Sequence, residues 1–153
     1  MKRIEVKLSL PVVAPLLDVI KTAADTLQGS LAAPLGVQDI DPEFREAWTD
    51  DLLKSQNDEM GTLLALFDKE FFSTGTVSFD DKNAEVIVRA CAALRLRLRG
   101  TVLKAVTDEA LENGEIAVET LTEAQRTAFM CYLFLATIQD LIIQHIDTLS
   151  IDP

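Results

Sequence analysis

The stretch from Leu121 to Leu149, LTEAQRTAFMCYLFLATIQDLIIQHIDTL, decides the fold of this chain. Thr122 and Gln125 have the spacing of a capping box, in which each side chain bonds the backbone N–H of the other, and they predict that a helix begins there. Residues 128–136 are apolar on every side, which predicts that this half of the helix is buried. From residue 137 onward, polar and apolar residues occupy opposite faces, which predicts one exposed and one packed face. Such a helix requires helical neighbours.

Its predicted neighbour is the helix that contains Ala84–Val106, AEVIVRACAALRLRLRGTVLKAV. The run 94–99 alternates leucine with arginine as a strand would, but the sequence on both sides of it has a helical pattern. At about 100° per residue, Leu94 and Leu98 fall on one face of this helix and Leu96 falls on nearly the opposite face. A helix that is apolar on two faces contacts neighbours on both sides, so this helix is predicted to be central.

The remaining elements follow from residue periodicity, helix caps and turn residues. Residues 3–10 alternate between polar and apolar, which predicts a strand that Pro11 ends. Asp41 followed by Pro42 predicts the start of a helix, and over residues 42–72 we favour one long helix over two helices joined near 57–61. The other predicted elements are helices over 16–27 and 81–112, a loop over 29–41, and short strands over 75–79 and 116–118. The chain 1–153 is thus predicted to be a single domain, mainly α: a helical bundle of four to five helices with a two- or three-stranded minor β element involving the N-terminal strand.

Composition limits the class of protein. The 153 residues carry a formal charge of −11, which argues against a nucleic-acid-binding protein because a polyanion would be repelled by most of the surface. A hydrophobic content of 48% indicates a full core together with an oligomer interface. The N-terminal segment lacks the unbroken apolar run of a signal peptide, and the uncharged stretch 127–139 is shorter than the ~20 residues of a membrane span. We therefore expect a cytoplasmic protein that is not bound to a membrane.

Sequence motifs for catalysis and metal binding are missing. The chain has no glycine-rich phosphate loop, no nucleophile elbow and no HExxH pattern, so we expect no cofactor and no metal. His145 is the only histidine, and we expect it to be hydrogen-bonded at a helix end, although pairing with Asp140 or with a glutamate from elsewhere in the chain in acid–base chemistry is the alternative. Cys91 and Cys131 lie in apolar helical runs, which favours reduced, buried thiols over the disulfide that remains sterically open.

Arginine is the residue type most in need of a partner, because a charged guanidinium inside a central helix requires carboxylates or carbonyl oxygens. Arg95 and Arg99 share one flank of the predicted helix, and Arg97 lies on the other flank with Arg89. Three interpretations stay open: ion pairs that tie helices together, a pocket for a small anion, and a docking site for an acidic partner. The candidate ligand-binding residues are Arg89, Arg95, Arg97, Arg99, Gln139 and His145. Of these, Gln139 is predicted to face apolar surroundings and to need a buried partner.

The chain also resembles an uncharacterised bacterial family, the domain-of-unknown-function family number 2017. The resemblance rests on an arginine-bearing acidic helix at Pro42–Leu53, on the run from Ala93 to Thr101 and on the closing segment Tyr132–Gln139. It covers about residues 42–146. Because some members of that family are encoded near a Clp-protease adaptor, the resemblance implies regulatory or proteostasis work, and it implies no substrate or catalytic residue.

The excess of apolar helix surface and the missing motifs together predict a non-enzymatic helical interaction or regulatory module that is homodimeric. Its expected partners are a second copy or another protein. The alternative is a protein that binds a small anionic ligand, or an enzyme, using Arg95, Arg97 and Arg99 with His145.

Overall fold

Two helices, Ala84–Gly100 and Glu123–Ile151, pack against each other through the centre of the structure. The structure is a computed structural model that describes residues 3–32, 41–113 and 117–151, without the side chains of 108, 118 and 146–151. The elements in chain order are β1 (Arg3–Lys7), α1 (Leu10–Thr26), α2 (Pro42–Leu64), α3 (Lys69–Thr74), β2 (Thr76–Asp80), α4 (Ala84–Gly100), α5 (Asp108–Asn113), a 3-10 turn (Val118–Thr120) and α6 (Glu123–Ile151). This confirms the predicted mainly α bundle with a minor β element that includes the N-terminal strand.

Helix α6 begins where the capping box predicts. The Thr122 N–H donates to Oε1 of Gln125 at 2.9 Å, and the Gln125 N–H donates to Oγ1 of Thr122 at 3.1 Å. The prediction that residues 128–136 are buried on every side is wrong, because α1 and α4 cover one side of α6 and leave Met130 and Leu133 exposed. The predicted polar stripe is exposed at residues 137, 140 and 144; its continuation at 147 and 148, and Leu149 opposite, lie outside the described side chains.

Helix α4 is central, since it packs against α1, α2 and α6. Ile87, Cys91, Leu94 and Leu98 form its buried face, whereas Leu96 is 44% exposed, so the second apolar face is only partly covered. The single helix predicted over 81–112 is wrong. The chain leaves the helix at Thr101, where φ is −124° and ψ is −97°, and this turn brings Leu103 into the core before α5 begins.

The segment 42–72 contains two helices, and the favoured prediction of one long helix is wrong. Helix α2 passes unbroken through the predicted joint at 57–61 and ends at Leu64. Asp68 then starts α3, because its side chain accepts a hydrogen bond of 3.1 Å from the Phe71 N–H. The turn between the helices allows both Leu66 and Phe71 to be buried.

Strands β1 and β2 pair antiparallel, with Ile4 opposite Phe79 and Val6 opposite Val77. The alternation predicted over 3–10 holds for residues 3–7. Helix α1 then begins at Leu10 with Pro11 in its first turn, so the start predicted at residue 16 is too late. In the described part of the chain the sheet has two strands. Of the third predicted strand, residue 116 lies outside the described residues and Val118 begins a 3-10 turn.

Candidate functional site

A cluster of polar side chains joins α4 to α6. Arg95 donates from Nη1 to Oε1 of Gln139 at 2.7 Å and from Nη2 to the hydroxyl of Tyr132 at 3.0 Å. Its guanidinium carbon also lies 4.4 Å from the centre of the Tyr132 ring, which is a cation–π distance. Gln139 in turn donates from Nε2 to the Val88 carbonyl at 3.0 Å, so the buried amide has the partners that the sequence predicts it to need.

Glu112 of α5 completes this cluster at its solvent-exposed edge. Its Oε1 accepts a hydrogen bond of 2.9 Å from the Tyr132 hydroxyl and lies 3.6 Å from Arg95 Nη2 and 3.7 Å from Arg99 Nη1. Burial raises the pKa of Tyr132, and the hydrogen bond to Glu112 acts in the same direction. The tyrosine therefore stays neutral and donates its proton, while one carboxylate is shared by two guanidinium groups.

The two cysteines lie beside the cluster and are free and buried, as predicted. Burial raises the pKa of Cys91 to about 12 even though the nearby Arg95 charge acts in the opposite direction. Burial also raises the pKa of Cys131 to about 12. Both thiols are therefore protonated at neutral pH, and neither has the thiolate character that a nucleophile or a metal ligand requires.

Arg89 and Arg97 lie on the other flank of α4, as the helical periodicity predicts. The Nε of Arg89 lies 3.0 Å from Oε1 of Glu59, which ties α4 to α2 by an ion pair. Arg97 contacts neutral oxygens instead, since its Nη2 donates to Oγ of Ser30 at 2.7 Å and to the Leu31 carbonyl at 3.3 Å. The Nε atoms of both Arg95 and Arg97 are buried and have no hydrogen-bond partner among the described residues.

His145 lies apart from the Gln139 amide, six residues or about 9 Å further along α6. Its Nδ1 is 2.7 Å from the Leu141 carbonyl, and its ring meets the edge of Phe79 at 6.4 Å between centres. A proton on Nδ1 would donate to that carbonyl, which is the role of a histidine satisfied by its own helix.

The six candidate residues therefore occupy separate places rather than one pocket. Arg95, Arg99 and Gln139 meet at the α4–α6 cluster, Arg89 and Arg97 lie on the opposite flank, and His145 lies near β2. Sequence reasoning missed Tyr132 and Glu112. Tyr132 could have been identified from the sequence, because it lies seven residues before Gln139 and therefore on the same face of α6.

Two surface grooves flank α4. One, here named the α2–α4 groove, has a volume of about 400 Å³ and is lined by residues that include Leu31, Ala32, Leu52, Ala93 and Leu96. The other, named the α1–α6 groove, has a volume of about 490 Å³ and lies between α1, the end of α4 and the first turns of α6. Both are mainly apolar, and Arg97 lines the second of them.

Within residues 3–32, 41–113 and 117–151, no group of three or more His, Cys, Asp or Glu side chains is placed to hold a metal ion. One described helix segment, Glu123–His145, is long and apolar enough by length and composition to cross a membrane, with a mean hydropathy of 1.4. In its most apolar window 44% of the residues are buried, and the core helix of a soluble protein satisfies the same criteria.

Comparison with known proteins identifies the family. Residues 18–146 match the family described as Domain of unknown function (DUF2017), which extends the similarity well beyond the segment 42–146 that carries the sequence resemblance. No curated protein and no solved structure matches the chain. Because the match covers most of the chain, including the helices that form the α4–α6 cluster, this protein belongs to the DUF2017 family.

Proposed function

We propose that the protein is a non-enzymatic helical interaction module that forms a homodimer through the N-terminal part of α2. The observation that carries this proposal is a stripe of large apolar side chains on that helix. Phe44, Trp48 and Leu52 follow one another at four-residue intervals and are 65%, 49% and 44% exposed. Residues at this spacing lie on one face of a helix, so the three side chains form a continuous apolar surface, here named the α2 stripe.

The N-terminal part of α2 is only partly covered by the described residues of the chain. None of the side chains from 42 to 59 is buried, and the first buried residue of this described helix is Met60. Gln56 fastens the helix to the end of α1 by donating 2.7 Å to the Leu27 carbonyl and accepting 3.0 Å from the Ala32 N–H. The half-buried side chains at 45, 49, 53, 56 and 59 show that this segment packs through one face, and a partner that covers the exposed stripe would stabilise it further.

Charge distribution on α2 favours a second copy as that partner. Asp51 lies on the same side of α2 as the stripe, but the exposed carboxylates Glu43, Glu46 and Asp50 lie, by helical periodicity, on the opposite side. Pairing of two stripes therefore keeps these carboxylates apart, although the whole chain carries a charge of −11. A two-fold contact brings the same surface of both copies together, so the stripe of each copy can pack against the surface beside the stripe of the other.

The α2–α4 groove gives the second copy a place to dock. Leu52 belongs both to the stripe and to the wall of the groove, so the two apolar surfaces are continuous. A large side chain of the second copy, with Trp48 as the natural candidate, would fill a groove of about 400 Å³. Tryptophan is enriched among the residues that contribute most to the binding energy of protein interfaces.

The test is the oligomeric state in solution. Size-exclusion chromatography with light scattering should give a dimer for the wild type, and Trp48→Lys should give a folded monomer. Trp48 is the only tryptophan of the chain, so dilution should also shift its fluorescence to longer wavelength as the dimer dissociates. The matched control is Phe72→Lys, which places the same charge at another exposed aromatic side chain, on α3, and should leave the dimer intact. A wild type that is monomeric at 100-micromolar concentration, or a Trp48→Lys variant that remains dimeric, would refute the proposal.

A further inference from the structure

The α1–α6 groove combines an apolar floor with one cation, Arg97, that forms no ion pair with the described residues, and we propose that it binds a medium-chain monocarboxylate whose carboxylate contacts Arg97. This ligand site is independent of the proposed dimer interface. The groove has a volume of about 490 Å³, which lies within the usual range of small-molecule sites. Its floor and walls include Val19, Ala23, Leu98, Val102 and Ala128.

Three of the four threonines that line the groove donate their hydroxyl protons within the protein. Thr26 donates its hydroxyl to the Ala23 carbonyl at 2.7 Å, Thr101 to the Arg97 carbonyl at 2.7 Å, and Thr127 to the Glu123 carbonyl at 3.1 Å. Because these three hydroxyl protons are already donated within the protein, the three side chains offer a ligand their methyl groups and hydrogen-bond acceptors but no donor. The groove thus fits an alkyl chain better than a sugar or another polar molecule.

Arg97 differs from the other arginines of α4 in its partners. Arg89 pairs with Glu59, and Glu112 lies within ion-pair distance of both Arg95 and Arg99. In the described part of the chain Arg97 forms no ion pair, and its Nη2 donates only to the neutral oxygens of Ser30 and Leu31. Arginine stays charged at neutral pH, and this guanidinium is partly withdrawn from water, so an anion at the groove would supply the missing charge.

The groove carries the positive charge of Arg97 at one end and the negative charge of Asp18 at the other, and this difference favours a ligand with a single negative charge. Asp18 lines the groove eight residues before Thr26, about 12 Å away along α1. Arg97 is held by Ser30 and Leu31, just beyond the C-terminal end of the same helix. A ligand with one carboxylate therefore places it at Arg97 and its apolar tail toward Asp18, whereas a second carboxylate at the tail would be repelled.

The experiment is calorimetric titration of the full chain with decanoate, a soluble probe of this chemistry. Decanoate should bind the wild type, and Arg97→Gln should weaken it on the order of tenfold or more, the effect expected from loss of a charge-assisted contact. Arg89→Gln, which removes an arginine from the same flank of α4 but outside the groove, should bind like the wild type. Decanol should bind more weakly than decanoate, and the dicarboxylate of the same chain length should bind more weakly still.

A second variant tests the groove without touching Arg97. Ala124 is exposed at the groove wall, and Ala124→Leu should reduce decanoate binding by filling the groove while the circular dichroism spectrum is unchanged. The proposal fails if decanoate gives no binding at millimolar concentration, if Arg97→Gln binds it as the wild type does, or if the dicarboxylate binds equally well. It also fails if Ala124→Leu dissociates a dimer without affecting decanoate, or if the protein binds anionic vesicles but not monomeric decanoate.

Discussion

Arg95 of α4 and Gln139 of α6 meet at 2.7 Å, and this hydrogen bond joins the two helices that form the centre of the domain. Each of the two residues makes a second hydrogen bond, because Gln139 also donates to the Val88 carbonyl and Arg95 also donates to the Tyr132 hydroxyl. Glutamine is uncharged and so accepts from the guanidinium without adding a second buried charge. The polar cluster therefore fixes how α4 and α6 align, which apolar packing alone would specify less strictly.

Replacing Gln139 by leucine should destabilise the protein. The substitution leaves Arg95 Nη1 without its acceptor, and an unpaired buried polar group costs about 1–3 kcal/mol. Urea denaturation followed by circular dichroism measures the loss. Gln144→Leu on the exposed face of the same helix is the matched control and should change the free energy of unfolding by less than about 0.5 kcal/mol. Equal stability of the two variants would show that the cluster contributes nothing to folding.

The leucine–arginine run offers a test of its helical form. Leu98 is buried and Leu96 is 44% exposed, although the two lie only two residues apart and would share one face of a strand. Leu98→Asp should unfold the domain, since an unpaired buried charge costs more than about 3 kcal/mol. Leu96→Asp should remain folded. Thermal denaturation measures the melting temperature of both variants. A native-like melting temperature for Leu98→Asp would contradict the assignment of this run to a helix with Leu98 buried.

Local signals predicted those parts of the fold that depend on a few neighbouring residues. Thr122 and Gln125 lie three positions apart and bond each other directly, so their pattern specifies the start of α6 regardless of the rest of the chain. The same holds for Val77 and Phe79, whose alternation alone predicts a strand with one buried face. The division of the arginines between two flanks of α4 follows from helical periodicity in the same way.

Features that depend on distant contacts could not be predicted in this way. No proline marks the break after Gly100 in the sequence. The break is stabilised by burial of Leu103 among residues that lie far from it along the chain. That break in turn decides where Glu112 lies, so its contact with Tyr132 and two arginines could not be predicted from local pattern. The joint between α2 and α3 likewise reflects burial of Leu66 and Phe71, whereas Gly61, the apparent breaker, lies within an intact helix.

Glycine substitutions at two positions should have opposite effects. Gly75 has φ of +77°, and an added Cβ would lie 2.6 Å from the Leu8 carbonyl oxygen. Gly75→Ala should therefore destabilise the protein by about 2 kcal/mol or more, since it combines a left-handed backbone with a backbone clash. Gly61→Ala meets nothing within 4 Å inside α2 and should stabilise the protein by about 0.5–1 kcal/mol. Urea denaturation of both variants checks the signs, and a Gly75→Ala variant as stable as Gly61→Ala would contradict the strained turn.

Stability should fall at alkaline pH because of the buried thiols. The pKa of Cys91 and of Cys131 is raised to about 12 in the folded protein from an ordinary value of 9.0. Below pH 9 both states keep these protons, but between pH 9 and 12 the unfolded chain releases them while the folded protein retains them. The free energy of unfolding should therefore decrease as the pH rises, by up to about 1.4 kcal/mol per pH unit for each thiol. The raised pKa of Tyr132 acts in the same direction above pH 10.

Urea denaturation at several pH values between 8 and 11 measures this slope. The double variant Cys91→Ala and Cys131→Ala should show a shallower slope than the wild type, whatever its stability at pH 8, because it retains only the other alkaline titrations. Comparing slopes rather than absolute values separates proton linkage from the loss of packing that two smaller side chains cause. Identical slopes for the two proteins would mean that the thiols titrate alike in the folded and unfolded states, and hence that they are accessible to water in the native protein.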